Sequence, residues 1–161
     1  MEADFLKVFL AGLAAISFAF NIFQYVRASS RFTLQIHHSQ EANKDGVGVY
    51  LAGVLFVSNT GKSPAYFSGV TITQENGDYY YPVIGLDGGT KIEPGQTVQG
   101  AIPVEHLLGN QAKELIVFDG VWKEYKIKKR CFRKFLQELA AEAARLESVG
   151  VSIHPNSSGG V

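Results

Sequence analysis

Gly61-Lys62-Ser63 is the triplet that closes a phosphate-binding loop, where backbone N–H groups and a lysine hold nucleotide phosphates. That chemistry requires G-x-x-x-x-G-K-[ST] between a strand and a helix. Here Phe56 stands five residues before Gly61, where the first glycine belongs, and Pro64 biases Ser63 away from the helical region. The following "AYFSGVTI" reads as a strand. Asn59 and Gly61 supply turn conformations instead, so the stretch is a turn between two strands.

The other reactive side chains do not assemble into a mechanism. Cys131 lies among lysines and arginines, which lower a thiol pKa, but no base is positioned beside it in the pattern. His37 and His38 are adjacent on an expected strand and point to opposite faces, so they cannot share a metal. His106 and His154 have no ligand spacing around them, and the acids are scattered. The expectation is no catalytic residue, no metal site and no cofactor.

One charge pattern does stand out. Seven of the fifteen basic residues fall within twelve positions: Lys123, Lys126, Lys128, Lys129, Arg130, Arg133 and Lys134. Lys126 and Lys128 alternate on a strand and so share a face. From Lys129 onward the cations open a helix, where positive charge opposes the macrodipole. An external anion resolves that conflict: a lipid headgroup, a nucleotide or nucleic acid. The other reading is a solvated face balanced by Glu124, Glu138 and Glu142.

The elements that hold this cluster follow from periodicity. Short runs at 31–38, 47–59, 65–74, 78–83 and 97–104 are separated by turn signals, and "ELIVFDGVWKEYKI" adds a last hairpin. Asn76-Gly77 reads as a type I′ hairpin turn, Asp119-Gly120 as the turn of a second hairpin, Pro94-Gly95 as a type II turn, and "EHLLG" as a short turn or helix ending at Gly109. Seven strands without alternating helices make a mainly β, immunoglobulin-like sandwich. The stripe Phe132, Phe135, Leu136, Leu139, Ala143 and Leu146 then defines an amphipathic helix. Its apolar face is expected to dock on the sandwich, on a second subunit or along a bilayer.

Ahead of the sandwich, Val8–Val26 runs nineteen residues without a charge. As a helix it extends roughly 28 Å, close to the hydrocarbon thickness of a bilayer. The start "MEAD" is acidic and nothing after the run reads as a cleavage site, so the expectation is one uncleaved span. Arg27, Arg31 and Lys44 follow it, against Lys7 before it, which places the C-terminal domain in the cytoplasm. Ser17, Asn21 and Gln24 share one helical face and Ala11, Ala15 and Ala19 another, a pattern that favours a homo-oligomer. The domain plan is an anchor at 1–30, a sandwich at 31–128, a helix at 129–149 and a flexible tail at 150–161. The formal net charge is zero, and Cys131 as sole cysteine excludes a disulfide-built scaffold.

The segments "FQYVRASSRF", "VLFVSNTGKSPAYFSGVTI", "KIEPGQTVQGAIPVEHL" and "ELIVFDGVWKEYKI" resemble a loose group of small bacterial proteins of unknown function. These have one membrane anchor and an immunoglobulin-like domain with V-x-N-x-G-x-x-P and L-E-P-G-x-x turns. The resemblance covers about residues 8 to 128 and implies a fold and an inner-membrane location, with no catalytic residues to carry over. The functional expectation is a non-enzymatic, membrane-anchored interaction domain with an unknown protein partner. The alternative is an oligomeric effector whose soluble domain senses an anionic ligand and whose spans permeabilise the membrane.

Association through the span is directly testable. Asn21→Leu is expected to weaken homo-oligomers in mild detergent, with a smaller effect for Ser17→Ala and little for Phe18→Leu, because a polar amide in hydrocarbon needs a partner. A wild-type chain that is monomeric at every accessible concentration, in detergent and in bilayers, contradicts this.

Overall fold

A computed structural model describes residues 12–22, 31–42, 49–109 and 111–149. Helix α1 occupies 12–22. The strands are β1 (Phe32–Ala42), β2 (Val49–Asn59), β3 (Ala65–Gln74), β4 (Tyr79–Tyr80), β5 (Lys91–Ile92), β6 (Thr97–Pro103), β7 (Ala112–Asp119) and β8 (Glu124–Lys126). A π-helical turn, Glu105–Gly109, precedes β7, and helix α2 (Lys129–Ser148) follows β8. The chain is mainly β.

Two antiparallel sheets form, in the orders β1-β2-β6 and β4-β3-β7-β8, with β5 paired to the start of β3. The arrangement is compatible with a β-sandwich. β2 is paired on both sides and reads as an almost continuous apolar run, with Leu51, Leu55 and Val57 in the core and Ala52 and Val54 also covered. Phe67, Ile72, Ile92, Ile102, Leu115 and Val117 complete the core from the other strands. Each such large side chain contributes about 2 kcal/mol when fully removed from water.

The strand count differs from the seven expected by one two-residue strand. β5 arises because Lys91-Ile92, just before the Pro94-Gly95 turn, fall opposite Tyr66 and Ala65. β4 shrinks from the expected 78–83 to Tyr79–Tyr80, because Pro82 has no N–H for a ladder. The Asn76-Gly77 turn also differs from type I′. Only Gly77 has positive φ, at 92°. Its N–H donates to the Gln74 carbonyl at 3.1 Å, and the Gln74 N–H donates to the Asp78 carbonyl at 2.9 Å. The turn is therefore centred on Glu75-Asn76 with a left-handed glycine after it, the three-residue alternative for a hairpin.

The stretch 60–64 is the expected turn, and the Asn59 side chain organises it. Its amide nitrogen donates to the carbonyls of Ser63 at 2.8 Å and Ile92 at 2.9 Å, and its oxygen accepts from the Gly61 N–H at 3.0 Å. No helix follows Ser63, so no phosphate loop is present there.

Helix α2 docks on the strands. Phe132, Phe135, Leu139, Ala143 and Leu146 are buried, Leu136 partly so, and the helix packs across β1, β7 and the π-helical turn. Gly53 of β2 makes this approach possible: a Cβ there would stand 2.7 Å from Leu107 Cδ1 and 2.9 Å from Phe135 Cζ.

α1 is the described part of the expected membrane span. Among the described residues no helix is long and apolar enough to cross a membrane. The eleven residues of α1 extend only about 16 Å. The rest of Val8–Val26, with Ala11 and Gln24, lies outside the described residues, as do Arg27, Lys44, Gly150, His154 and the 150–161 tail.

Gly53→Val is expected to cost about 2 kcal/mol in urea unfolding by overpacking this contact. It is also expected to make α2 the first segment released by limited proteolysis. Wild-type stability and wild-type protease resistance would contradict the packing described.

Candidate functional site

The last hairpin is fixed by one buried carboxylate. Asp119 is 2% exposed. Its Oδ1 accepts the N–H groups of Val121 and Lys123, each at 3.0 Å, and its Oδ2 accepts the Tyr125 hydroxyl at 3.0 Å. The Trp122 N–H donates to the Asp119 carbonyl at 2.9 Å, and the Asp119 N–H donates to the Lys123 carbonyl at 3.2 Å. The expected hairpin turn is present at Asp119-Gly120, and its left-handed residue is Trp122, at φ 61°. A bulky residue there is strained and persists only where its surroundings hold it. The result is an exposed tip: Val121 is 80% and Trp122 73% accessible, with the indole leaning on Phe118 at 5.8 Å.

The expected cluster divides in three. Lys123 and Lys128 line a hollow of about 750 Å³ with Arg31 and Cys131, floored by Phe32 and Tyr125. The Lys123 ammonium stands 5.2 Å from the Tyr125 ring centroid, and Tyr125 packs on Phe32 at 5.0 Å. Lys129, Arg130, Arg133 and Lys134, with Gln137, surround a second open hollow of about 550 Å³ on the outer side of α2. Lys126 also lines the first hollow, but its charge is engaged by two acids. Its ammonium donates to Glu114 at 3.1 Å and lies 3.5 Å from Glu124. This hydrogen bond to Glu114 is the main reason its pKa lies above the ordinary lysine value.

Two details correct the sequence reading. β8 ends at Lys126 and Lys128 is the N-cap of α2, so strand alternation does not carry the two onto one face. Glu142 does not balance the cluster; Arg145 binds it, at 2.8 and 2.6 Å, and that hydrogen bonding holds the Glu142 carboxyl below its usual range. Glu138 does pair with Lys134, at 3.4 Å, and Glu124 with Lys126. Among the described residues Lys128, Lys129, Arg130 and Arg133 make no ion pair.

The helix start adds to the positive field. Lys128 supplies no side-chain cap, and the first turn of α2 contains no acid. Uncapped N–H groups beside unpaired cations attract phosphate or carboxylate oxygens. The arrangement can therefore hold an anion by charge and hydrogen bonding.

The remaining titratable residues stand apart. His37 packs against Phe56 at 5.9 Å, and no histidine lines the hollow containing exposed Cys131. His106 Nε2 and the Tyr80 hydroxyl share a hydrogen bond of 2.9 Å, with rings 4.5 Å apart, a pairing that sequence separation concealed. Burial and then the Glu105 charge push the Tyr80 hydroxyl up from its ordinary value. Among the described residues no group of three or more His, Cys, Asp or Glu could hold a metal ion. Ser17 and Asn21 lie one turn apart on α1.

Asp119→Ala leaves two part-buried N–H groups and a hydroxyl short of an acceptor, and is expected to cost about 2 kcal/mol in urea unfolding. Trp122→Gly is expected to recover roughly 1 kcal/mol of backbone strain in the same assay, read by circular dichroism. A neutral Asp119→Ala contradicts the role given to the carboxylate.

No family model, no curated protein and no solved structure matches this chain.

Proposed function

We propose that this chain is a non-enzymatic interaction domain, anchored in the bacterial inner membrane by a single span at Val8–Val26. Its immunoglobulin-like sandwich lies on the cytoplasmic side. The observation that carries this reading is α1. Leu13, Ile16, Phe18, Phe20 and Ile22 are each between 48% and 68% exposed, so the large apolar side chains of this helix stand largely uncovered. A helix apolar on all sides belongs in lipid or inside an assembly. The resemblance to small anchored bacterial proteins points the same way. The strand orders β1-β2-β6 and β4-β3-β7-β8 support the immunoglobulin-like arrangement, in which A-B-E faces C-F-G.

The partner surface is the basic one. Lys128, Lys129, Arg130 and Arg133 offer unpaired charge to an anionic group carried by a protein, lipid or nucleotide. Recruitment at the membrane is then a matter of charge and placement, without turnover.

The oligomeric effector remains a second reading because Ser17 and Asn21 put a polar stripe on an otherwise apolar helix. Dye leakage from reconstituted vesicles that depends on added nucleotide would favour it over scaffolding.

Titration of the detergent-solubilised full chain with a short-chain phosphatidylglycerol or a nucleotide is expected to shift the amide resonances of 128–134. Arg130→Glu with Arg133→Glu is expected to weaken that binding at least tenfold, given about 1 kcal/mol per basic residue near anionic lipid. Unchanged affinity in the double variant removes the site. A preparation that shows turnover on a substrate and recruits no specific partner from native membranes removes the proposal.

A further inference from the structure

We propose that the end of the sandwich carrying Arg31 rests on an anionic lipid surface, with Val121 and Trp122 inserted among the headgroups. The proposal rests on the anchored reading above and goes further by fixing which end of the domain meets the bilayer and through which residues.

Phe32 pairs with Asn59, Ala65 with Ile92, and Phe67 with Asp119. The start of β1, the end of β2, the start of β3 and the end of β7 therefore lie at one end. Loop hydrogen bonds tie that end together. The Thr60 N–H donates to the Arg31 carbonyl at 2.8 Å, and the Gly120 N–H donates to the Tyr66 carbonyl at 2.8 Å. The 60–64 turn, residue 31 and the 120–122 tip are neighbours.

Covalent length then sets a limit. Five Cα-to-Cα steps lead from Val26, the end of the uncharged run, to Arg31. Fully extended they reach at most about 18 Å. With Val8–Val26 in the bilayer, Arg31 cannot lie further than that from the hydrocarbon edge, and the polar headgroup layer fills roughly 5 to 8 Å of the gap. The opposite end of the sandwich is excluded from that position by the length of β1, eleven residues at about 3.3 Å each.

The composition of the end matches such a surface. Arg31, Lys62 and Lys123 are exposed and make no ion pair among the described residues. The acids nearby, Glu93 and Glu124, are held by Lys91 at 2.6 Å and by Lys126 at 3.5 Å. Between the free cations project Val121 and Trp122, while Tyr66 is half exposed beside them. Tryptophan and tyrosine favour the membrane–water interface, and lysine and arginine favour its anionic headgroups. Asp119 holds the tip in its strained form before any contact is made, so little ordering is left for binding.

Trp122 is the only tryptophan of the chain, so its fluorescence reports on this tip alone. The full chain, reconstituted in phosphatidylcholine vesicles containing phosphatidylglycerol, is first washed with alkaline carbonate. Retention of the chain then reports on the anchor separately. Shallow brominated lipids are expected to quench Trp122 at least twofold more than lipids brominated near the bilayer centre, and acrylamide is expected to reach it poorly. Arg31→Glu with Lys62→Glu, both exposed positions, is expected to raise acrylamide quenching at least twofold with unchanged circular dichroism. A chain that is retained but whose Trp122 is open to acrylamide and untouched by brominated lipid overturns this inference and leaves the anchor standing. Shielding from acrylamide without bromine quenching also overturns it, because protein then covers the tip. Loss of the chain in the wash overturns the anchored reading and this one with it.

Discussion

One buried amide governs the end of the domain where the chain enters it. Asn59 is fully buried, and every polar atom it has is engaged. Beyond its three side-chain bonds, its backbone N–H donates to the Gln96 carbonyl at 3.0 Å and its carbonyl accepts from the Gly95 N–H at 2.8 Å. Its Oδ1 also accepts from the Arg31 N–H at 3.5 Å. A single residue thus binds the start of β1, the 60–64 turn, β5 and the Pro94-Gly95 turn. A buried amide is costly unless it is fully paired, and this requirement forces those segments to meet.

Asp119 performs a related task on the neighbouring loop. Two buried polar side chains, one neutral and one acidic, close the loops at the same end of two facing sheets. They leave backbone conformations and charges outside that the core alone would not choose: a left-handed tryptophan, and lysines and arginines without carboxylates. Local strain and unpaired charge are tolerated where a rigid frame supports them. The same frame gives α2 its seat, since Gly53 removes the one Cβ that would hold Phe135 away.

Much of this was legible from residue order. Runs bounded by turn residues located β1, β2, β3, β6 and the last hairpin, because strand and turn each have a local composition of their own. The stripe from Phe132 to Leu146 located α2 and its buried face. Asn59 and Gly61 marked a turn, and Phe56 with Pro64 excluded a phosphate loop. The misreadings have one physical origin: they depend on partners distant in sequence. β5 exists because β3 lies beside it. The left-handed residue of the last hairpin is Trp122 because the Asp119 carboxylate captures the N–H groups of Val121 and Lys123. Lys126 carries no free charge into the basic cluster because Glu114, twelve residues earlier, is its neighbour across the β7–β8 pair. Tyr80 and His106 met for the same reason. An aspartate four residues before Lys123 was the local signal for the hairpin geometry, and it reads equally as an ordinary Asp-Gly turn.

The central claim is that Asn59 holds the loops of this end as one unit. Amide hydrogen exchange, compared between the wild type and Asn59→Ala, tests it most directly. The Gly61 amide loses its acceptor in the variant whatever else happens. The account predicts that the amides of Thr60, Gly95 and Gln96 exchange faster together with it, while those in the middle of β2 and β7 stay protected. Faster exchange at Gly61 alone, with Gly95 and Thr60 unchanged, would contradict it.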